Sequence, residues 1–161
     1  MSNQVYRNSQ VKYYESVNFN KYSLSIAIVV PGGNQIPLIL QSNQINDPRT
    51  QFNINQSNGE INCILAGVYS MNLLIRIEAN TTTNFLTWGL RLLLNETIVA
   101  DLLDKFSVEG SGTTDDKAYT LSYIGYLRPE DIISIEVSNY KGTQAFTINA
   151  SFTDLIVQKL F

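Results

Sequence analysis

Apolar and polar residues alternate with a period of two through most of this chain. The cleanest run is Gly67 to Glu78, where Tyr69, Met71, Leu73, Ile75 and Ile77 share one phase and Ser70, Asn72 and Arg76 the other. Side chains of a strand point alternately to its two faces, whereas a helix brings i and i+4 together, so this pattern predicts a half-buried strand. The same period recurs in Phe85 to Leu94 (Trp88, Leu90, Leu92, Leu94), at Tyr119, Leu121 and Tyr123, and at Ile133, Ile135 and Val137. Leu24 to Val30 reads as a mixed or buried strand, and Gln35 to Gln41 as a short strand that Pro37 places at an edge. Ile98 to Phe106 reads as a fraying strand or a short helical turn. Phe146 to Phe161 reads as one long closing strand.

Turn signals separate these runs. Pro31-Gly32-Gly33-Asn34, Asn46-Asp47-Pro48, Asn58-Gly59, Arg128-Pro129-Glu130-Asp131 and Tyr140-Lys141-Gly142-Thr143 have turn composition, and Asn58-Gly59 is a hairpin signal. Asn80 to Asn84 and Glu109 to Lys117 read as loops. About eight to ten short strands with regular turns and no long helix predict an all-β protein, an antiparallel sandwich of jelly-roll type. The polar stretch 1–22 precedes them as an extended arm, and 23–161 reads as a single domain.

Composition narrows the function. Asn, Gln, Ser and Thr make up about a third of the 161 residues, and charged residues 16%, a balance that favours strands and turns. The net charge of −3 offers no field for nucleic acid. The longest apolar stretch, Leu24 to Pro31, is far short of the ~20 residues of a spanning helix. Histidine is absent, which removes His-based triads and His metal sites. The single cysteine, Cys63, excludes an intrachain disulfide and reads as a buried, inert thiol. The first 22 residues lack an apolar h-region, so an ordinary signal peptide is not expected.

From Phe52 onward the order of motifs resembles the C1q/tumour-necrosis-factor-like jelly roll. Phe52-Asn53, Gly59 and Gly67-Val68-Tyr69 followed by Met71, Leu73 and Ile75 match a Phe strand, a Gly turn and a Gly-x-Tyr strand opening. Leu90 to Thr97 matches a strand ending in an Asn-containing turn, Leu127 to Ile133 an acid-containing step into a strand, and Ser151 to Ile156 the final strand. Two departures are visible: Glu130 stands where the family usually has Gly before the acid, and Thr153 or Asp154 where it has Gly in the last strand. The resemblance implies a compact homotrimer around an axis lined by apolar and aromatic residues. Tyr119, Tyr123 and Tyr126 either face that axis or cover the core of their own chain.

The remaining candidates are a set of acids, four sequons and the arm. Asp101, Asp104, Glu109, Asp115 and Asp116 cluster along the chain but lack the spacing of a calcium loop, so a solvated acidic loop, with no metal and no cofactor, is expected. Asn55, Asn80, Asn95 and Asn149 begin Asn-x-Ser/Thr sequons, about as many as chance gives. Tyr6, Tyr13, Tyr14, Phe19 and Tyr22 would be large anchors if the arm docks on a neighbour. Two functions fit. One is a non-enzymatic coat subunit of a virion or similar shell, a jelly-roll homotrimer tethered by its arm to other coat or surface proteins. The other is a trimeric recognition module, extracellular or on a surface, that binds a protein or glycan through the loops bearing Asn80, Asn84, Asp115 and Asp116.

Overall fold

The computed structural model describes residues 19–43, 52–80, 86–106, 114–140 and 145–161. Within them the chain makes four short strands, β1 (Phe19–Ser23), β2 (Ile28–Val30), β3 (Gln35–Pro37) and β4 (Gln41–Asn43), then a hairpin of β5 (Phe52–Ile54) and β6 (Ile61–Cys63). Longer strands follow: β7 (Gly67–Asn80), β8 (Leu86–Leu94), β9 (Thr97–Phe106), β10 (Thr114–Leu127) and β11 (Ile132–Asn139). β12 (Phe146–Ile148), a 3-10 turn at Ala150–Phe152 and β13 (Asp154–Lys159) close the chain.

Two antiparallel sheets result. In the first, β7 pairs with β10 along one side and with β12 and β13 along the other, and β13 continues to β1 and β4. In the second, β11 pairs with β8, which pairs with the edge strand β9, while β6 and β3 share the other side of β11. The inward phases predicted for β7, β8 and β11 meet between the sheets, joined by Leu155 and Val157 of β13. This is the antiparallel jelly-roll sandwich that the alternation calls for.

Trp88 is fully buried at the centre, edge-on to Tyr119 at 4.6 Å and to Phe146 at 6.2 Å. Its indole N–H finds no partner among the described residues. An unpaired buried donor costs about 1–3 kcal/mol, whereas losing a buried aromatic costs about 3–5 kcal/mol, so packing wins at this position. The buried polar side chains Asn139, Ser138 and Thr153 are all bonded, to Val30 O, Gln35 Oε1 and Asn149 O respectively.

The structure differs from the sequence expectations in five places, one being that Gln35 to Gln41, read as one strand, is divided between β3, paired with β11, and β4, paired with β1 in the other sheet. Phe19 to Tyr22, inside the segment 1–22 read as an arm, belong to strand β1, because Asn20 and Tyr22 turn inward and β1 pairs with β13. Only Ile28–Val30 of the Leu24–Val30 run is strand; Ile26 is exposed. Thr114 to Lys117, read as loop, extends β10, because β7 runs on to Asn80 and offers it a partner. The closing strand is interrupted: Asn149 Oδ1 caps Ser151 N–H, and the 3-10 turn bulges the chain away from β7 before β13 resumes pairing. The Ile98 to Phe106 ambiguity resolves as strand β9.

Left-handed backbone sits where the turns demand it. Asn95 and Glu96 both have positive φ (50° and 65°), the signature of a two-residue hairpin turn between β8 and β9. Glu130, at the family's glycine position, has φ 73°. A side chain in this region costs about 1–2 kcal/mol relative to glycine, partly offset by glycine's larger unfolded entropy. Glu96→Gly and Glu130→Gly are each expected to raise stability by about 0.5–1 kcal/mol, read as an increase in the denaturation midpoint; a decrease for both would contradict this account of the turns.

Tyr22 and Tyr69 are buried, and burial pushes both phenols up to about 12. The unfolded phenol loses its proton near pH 10 and the folded one near 12, so their contribution is intact below pH 10 and declines as pH rises from 10 to 12. Each tyrosine is expected to remove up to about 1.4 kcal/mol per pH unit in that window. Chemical denaturation at pH 9, 10 and 11 should show stability falling above pH 10, and Tyr22→Phe should flatten the fall; an unchanged slope in that variant would refute the assignment.

Candidate interaction surface

A strand whose inner phase fills the core exposes its other phase, and β7 therefore fixes the outer face of the first sheet. Its outward residues Val68, Ser70, Asn72, Leu74 and Arg76 stand opposite Tyr126, Ile124, Ser122, Thr120 and Ala118 of β10. On the other side Ser70, Asn72 and Leu74 stand opposite Gln158, Ile156 and Asp154 of β13. Hydroxyls and amides occupy the middle, where Ser122 Oγ donates to Asn72 Oδ1 at 2.8 Å. Apolar side chains flank them: Leu74, Ile124, Tyr126, Ile156 and Leu160 are all solvent-exposed.

Four charges on this face form two pairs, while Glu78 accepts from the Asn149 amide. Lys21 Nζ lies 2.8 Å from Asp154, which also accepts from the Ser23 hydroxyl. Arg76 pairs with Asp116 across the β7–β10 ladder and stacks on Phe152, 4.5 Å from its ring centroid. Paired charges lower the desolvation cost of covering a surface, and exposed apolar side chains gain on being covered. The outer face of the second sheet differs, with Arg91, Asp101 and Lys105 on β8 and β9 and Glu136 on β11.

Among the predicted trimer-axis tyrosines, Tyr119 and Tyr123 lie in the inward phase of β10 and pack against the core. Tyr119 Oη donates to Asp104 at 2.7 Å, tying β10 to β9 across the rim between the sheets. Tyr126 is on the opposite phase, 57% exposed on the outer face. Of the arm-docking residues, Tyr22 is a core residue whose hydroxyl accepts from the Asn20 amide at 3.0 Å, and Phe19 lies half-buried at the start of β1. Tyr6, Tyr13 and Tyr14 lie outside the described residues.

The two predicted ligand loops leave the same end of the sandwich, since Asn80 pairs with Thr114 and Leu86 with Phe106. Asn80 ends β7 and Asp115 lies in β10 opposite Ala79, while Asn84 is outside the described residues. Asp116 is engaged with Arg76. Of the acids that cluster in sequence, Asp104 turns to Tyr119 at the rim, Asp101 faces solvent from β9 and Asp116 is on the other sheet, while Glu109 lies outside the described residues. Among the described residues no group of three or more acids or cysteines could hold a metal ion.

The residues behind the family resemblance have structural work. Tyr69 is buried against Phe52 and donates to Leu65 O at 2.6 Å. A Cβ on Gly67 would clash with Lys159 Cε and lie 2.6 Å from Phe161 O, so glycine permits the last strand to pass. Asp131 accepts from Arg128 N–H at 2.7 Å and from the Asn95 amide at 2.8 Å, while Asn95 Oδ1 takes Ile132 N–H. Asn149, a second sequon residue, donates to Glu78. Cys63 is buried, its thiol donates to Leu65 O, and burial raises its pKa.

Leu74, Ile124 and Ile156 were not among the predicted site residues. Each is an apolar residue on the polar phase of its strand, and that off-phase position is the signal in the sequence that marks them.

No family model and no curated protein sequence matches the chain. Among solved structures it is similar to Eiger TNF from S. frugiperda, with a TM-score of 0.58 and 12% identity over 89% of this chain and 92% of that one. The fold is thus that of the C1q/tumour-necrosis-factor-like jelly roll.

The Tyr119–Asp104 bond closes the rim independently of the outer face. Tyr119→Phe should cost about 1.5–3 kcal/mol, the range for hydrogen bonds to charged groups, measured by urea denaturation. A change below the error of the measurement would show that the bond contributes nothing.

Proposed function

We propose that this chain is a non-enzymatic structural subunit, a jelly-roll homotrimer that serves as a component of a virion or similar coat, tethered by the segment preceding β1. The observation that carries self-assembly is the outer face of the first sheet, where Leu74, Ile124, Tyr126 and Ile156 surround a hydroxyl–amide patch flanked by the ion pairs Lys21–Asp154 and Arg76–Asp116. The shared fold with Eiger TNF supports a closed assembly of few copies. Tyr126 is exposed on this face whereas Tyr119 and Tyr123 pack inward, so Tyr126 is the tyrosine that would meet a neighbouring copy. The coat role and the virion as location rest on the aromatic content of residues 1–18 and on the lack of a His-based or nucleophilic constellation in the sequence.

Sedimentation velocity of variants tests the reading. Ile124→Asp and Ile156→Asp place an unpaired charge in the proposed interface and should shift a trimer to monomer. Leu103→Asp, on the other sheet, should leave the trimer intact. Removing residues 1–18 should preserve the trimer and abolish incorporation into larger particles. A trimer that persists in both interface variants would refute the assigned face; normal incorporation without residues 1–18 would refute the tether and favour a free recognition module.

A further inference from the structure

The solvent side of the second sheet carries a groove of ≈ 250 Å³ lined by Thr87, Arg91, Asp101, Leu102, Leu103 and Tyr140. Its construction depends on Gly89, which stands opposite Leu103 between β8 and β9. A Cβ on Gly89 would lie 2.9 Å from Tyr140 Cε2, so the missing side chain is what lets the Tyr140 ring lie down on the sheet. Tyr140 N–H donates to Thr87 O at 2.9 Å, which fixes where the ring begins. Arg91 Nη2 donates to Tyr140 Oη at 3.3 Å. Tyr140 remains 49% exposed, and Leu103 faces the same groove.

Arg91 and Asp101 are directly opposite each other in the β8–β9 ladder, a position where an ion pair is the ordinary outcome. No ion pair joins them among the described residues, and the guanidinium turns instead to the tyrosine hydroxyl. The groove therefore presents a donor and an acceptor of opposite charge beside an aromatic and an aliphatic wall. An anionic ligand would meet the Asp101 carboxylate, and a cationic one the Arg91 guanidinium. A neutral ligand with neighbouring hydroxyls satisfies both: one hydroxyl donates to Asp101, another accepts from Arg91, and its C–H face lies on Tyr140 and Leu103.

We propose that this groove binds a single ring of a neutral saccharide. Its volume, below the ~300 Å³ at which pockets for larger ligands begin, suits one sugar ring rather than a chain. The site lies on the sheet opposite the proposed self-association face, so it does not depend on that reading.

Saturation-transfer NMR of the full chain with the methyl glycosides of glucose, galactose and N-acetylglucosamine, and with methyl glucuronide, tests the proposal. At least one neutral glycoside should receive saturation on its ring protons, and the anionic glucuronide should bind more weakly than glucoside. Asp101→Ala and Tyr140→Ala should each weaken binding by about tenfold, the loss of one charged hydrogen bond or one stacking wall. Gly89→Ala, which displaces the tyrosine ring, should do the same while Asp101 and Arg91 remain. Ile124→Asp should bind as the unaltered chain does, whatever its oligomeric state. No transfer to any neutral glycoside, tighter binding of the glucuronide, or binding that survives either Asp101→Ala or Tyr140→Ala would overturn the assignment.

Discussion

β7 is paired on both sides along nearly its whole length, and its register sets both surfaces of the first sheet. β10 follows it residue for residue from Gly67 to Asn80, and β13 and β12 take the other side. A slip of one residue in such a strand would exchange its faces and bury Ser70, Asn72 and Arg76 in place of Tyr69, Met71, Leu73, Ile75 and Ile77. The cost of burying those polar groups unpaired locks the register. The same lock delivers Leu74 outward, next to Ile156 and the β10 pair Ile124 and Tyr126. The core and the candidate assembly face are thus two readings of one alternation.

The turns at the ends of the strands hold this arrangement by polar bonds rather than by packing. Asn95 and Asp131 clasp each other between the β8–β9 turn and the start of β11, and each also bonds a backbone N–H. Asn149 caps the 3-10 turn and reaches Glu78. Asn55 accepts from the Ser57 N–H and hydroxyl, so three of the four sequon asparagines are engaged in internal contacts. The high amide content of the chain, which by composition alone says little beyond strands and turns, supplies the clasps of a loop-rich sandwich.

The sandwich was legible in the sequence because burial on one face writes a period of two, and Tyr69 to Ile77, Trp88 to Leu92 and Ile133 to Val137 carry it without interruption. Where local chemistry and long-range pairing diverge, the sequence misleads. Thr114 to Lys117 has loop composition, yet the far end of β7 recruits it into a strand. Phe19 and Tyr22 look like anchors on a polar arm, yet β13 takes them into the sheet. Tyr119, Tyr123 and Tyr126 are close in sequence, but parity puts the first two inward and the third outward. The groove at Tyr140 could not be foreseen, because it depends on Gly89 and Tyr140 meeting across two strands that are far apart in the chain. Asp101, Asp104 and Asp116 show the reverse case, close in sequence and separated by the fold.

In the proposed assembly the outer face of the first sheet is covered by other copies of the chain while the second sheet faces solvent. Ile124 and Leu103 give a matched pair for testing it, since each is 66% exposed in the single chain, one on each sheet. Hydroxyl-radical footprinting of the unaltered full chain, read by mass spectrometry and normalised to the intrinsic reactivity of each residue, compares them directly. Such an assembly protects Ile124 strongly, with Tyr126, Leu74 and Ile156 following it, and leaves Leu103 fully labelled. Equal labelling of Ile124 and Leu103 would contradict it.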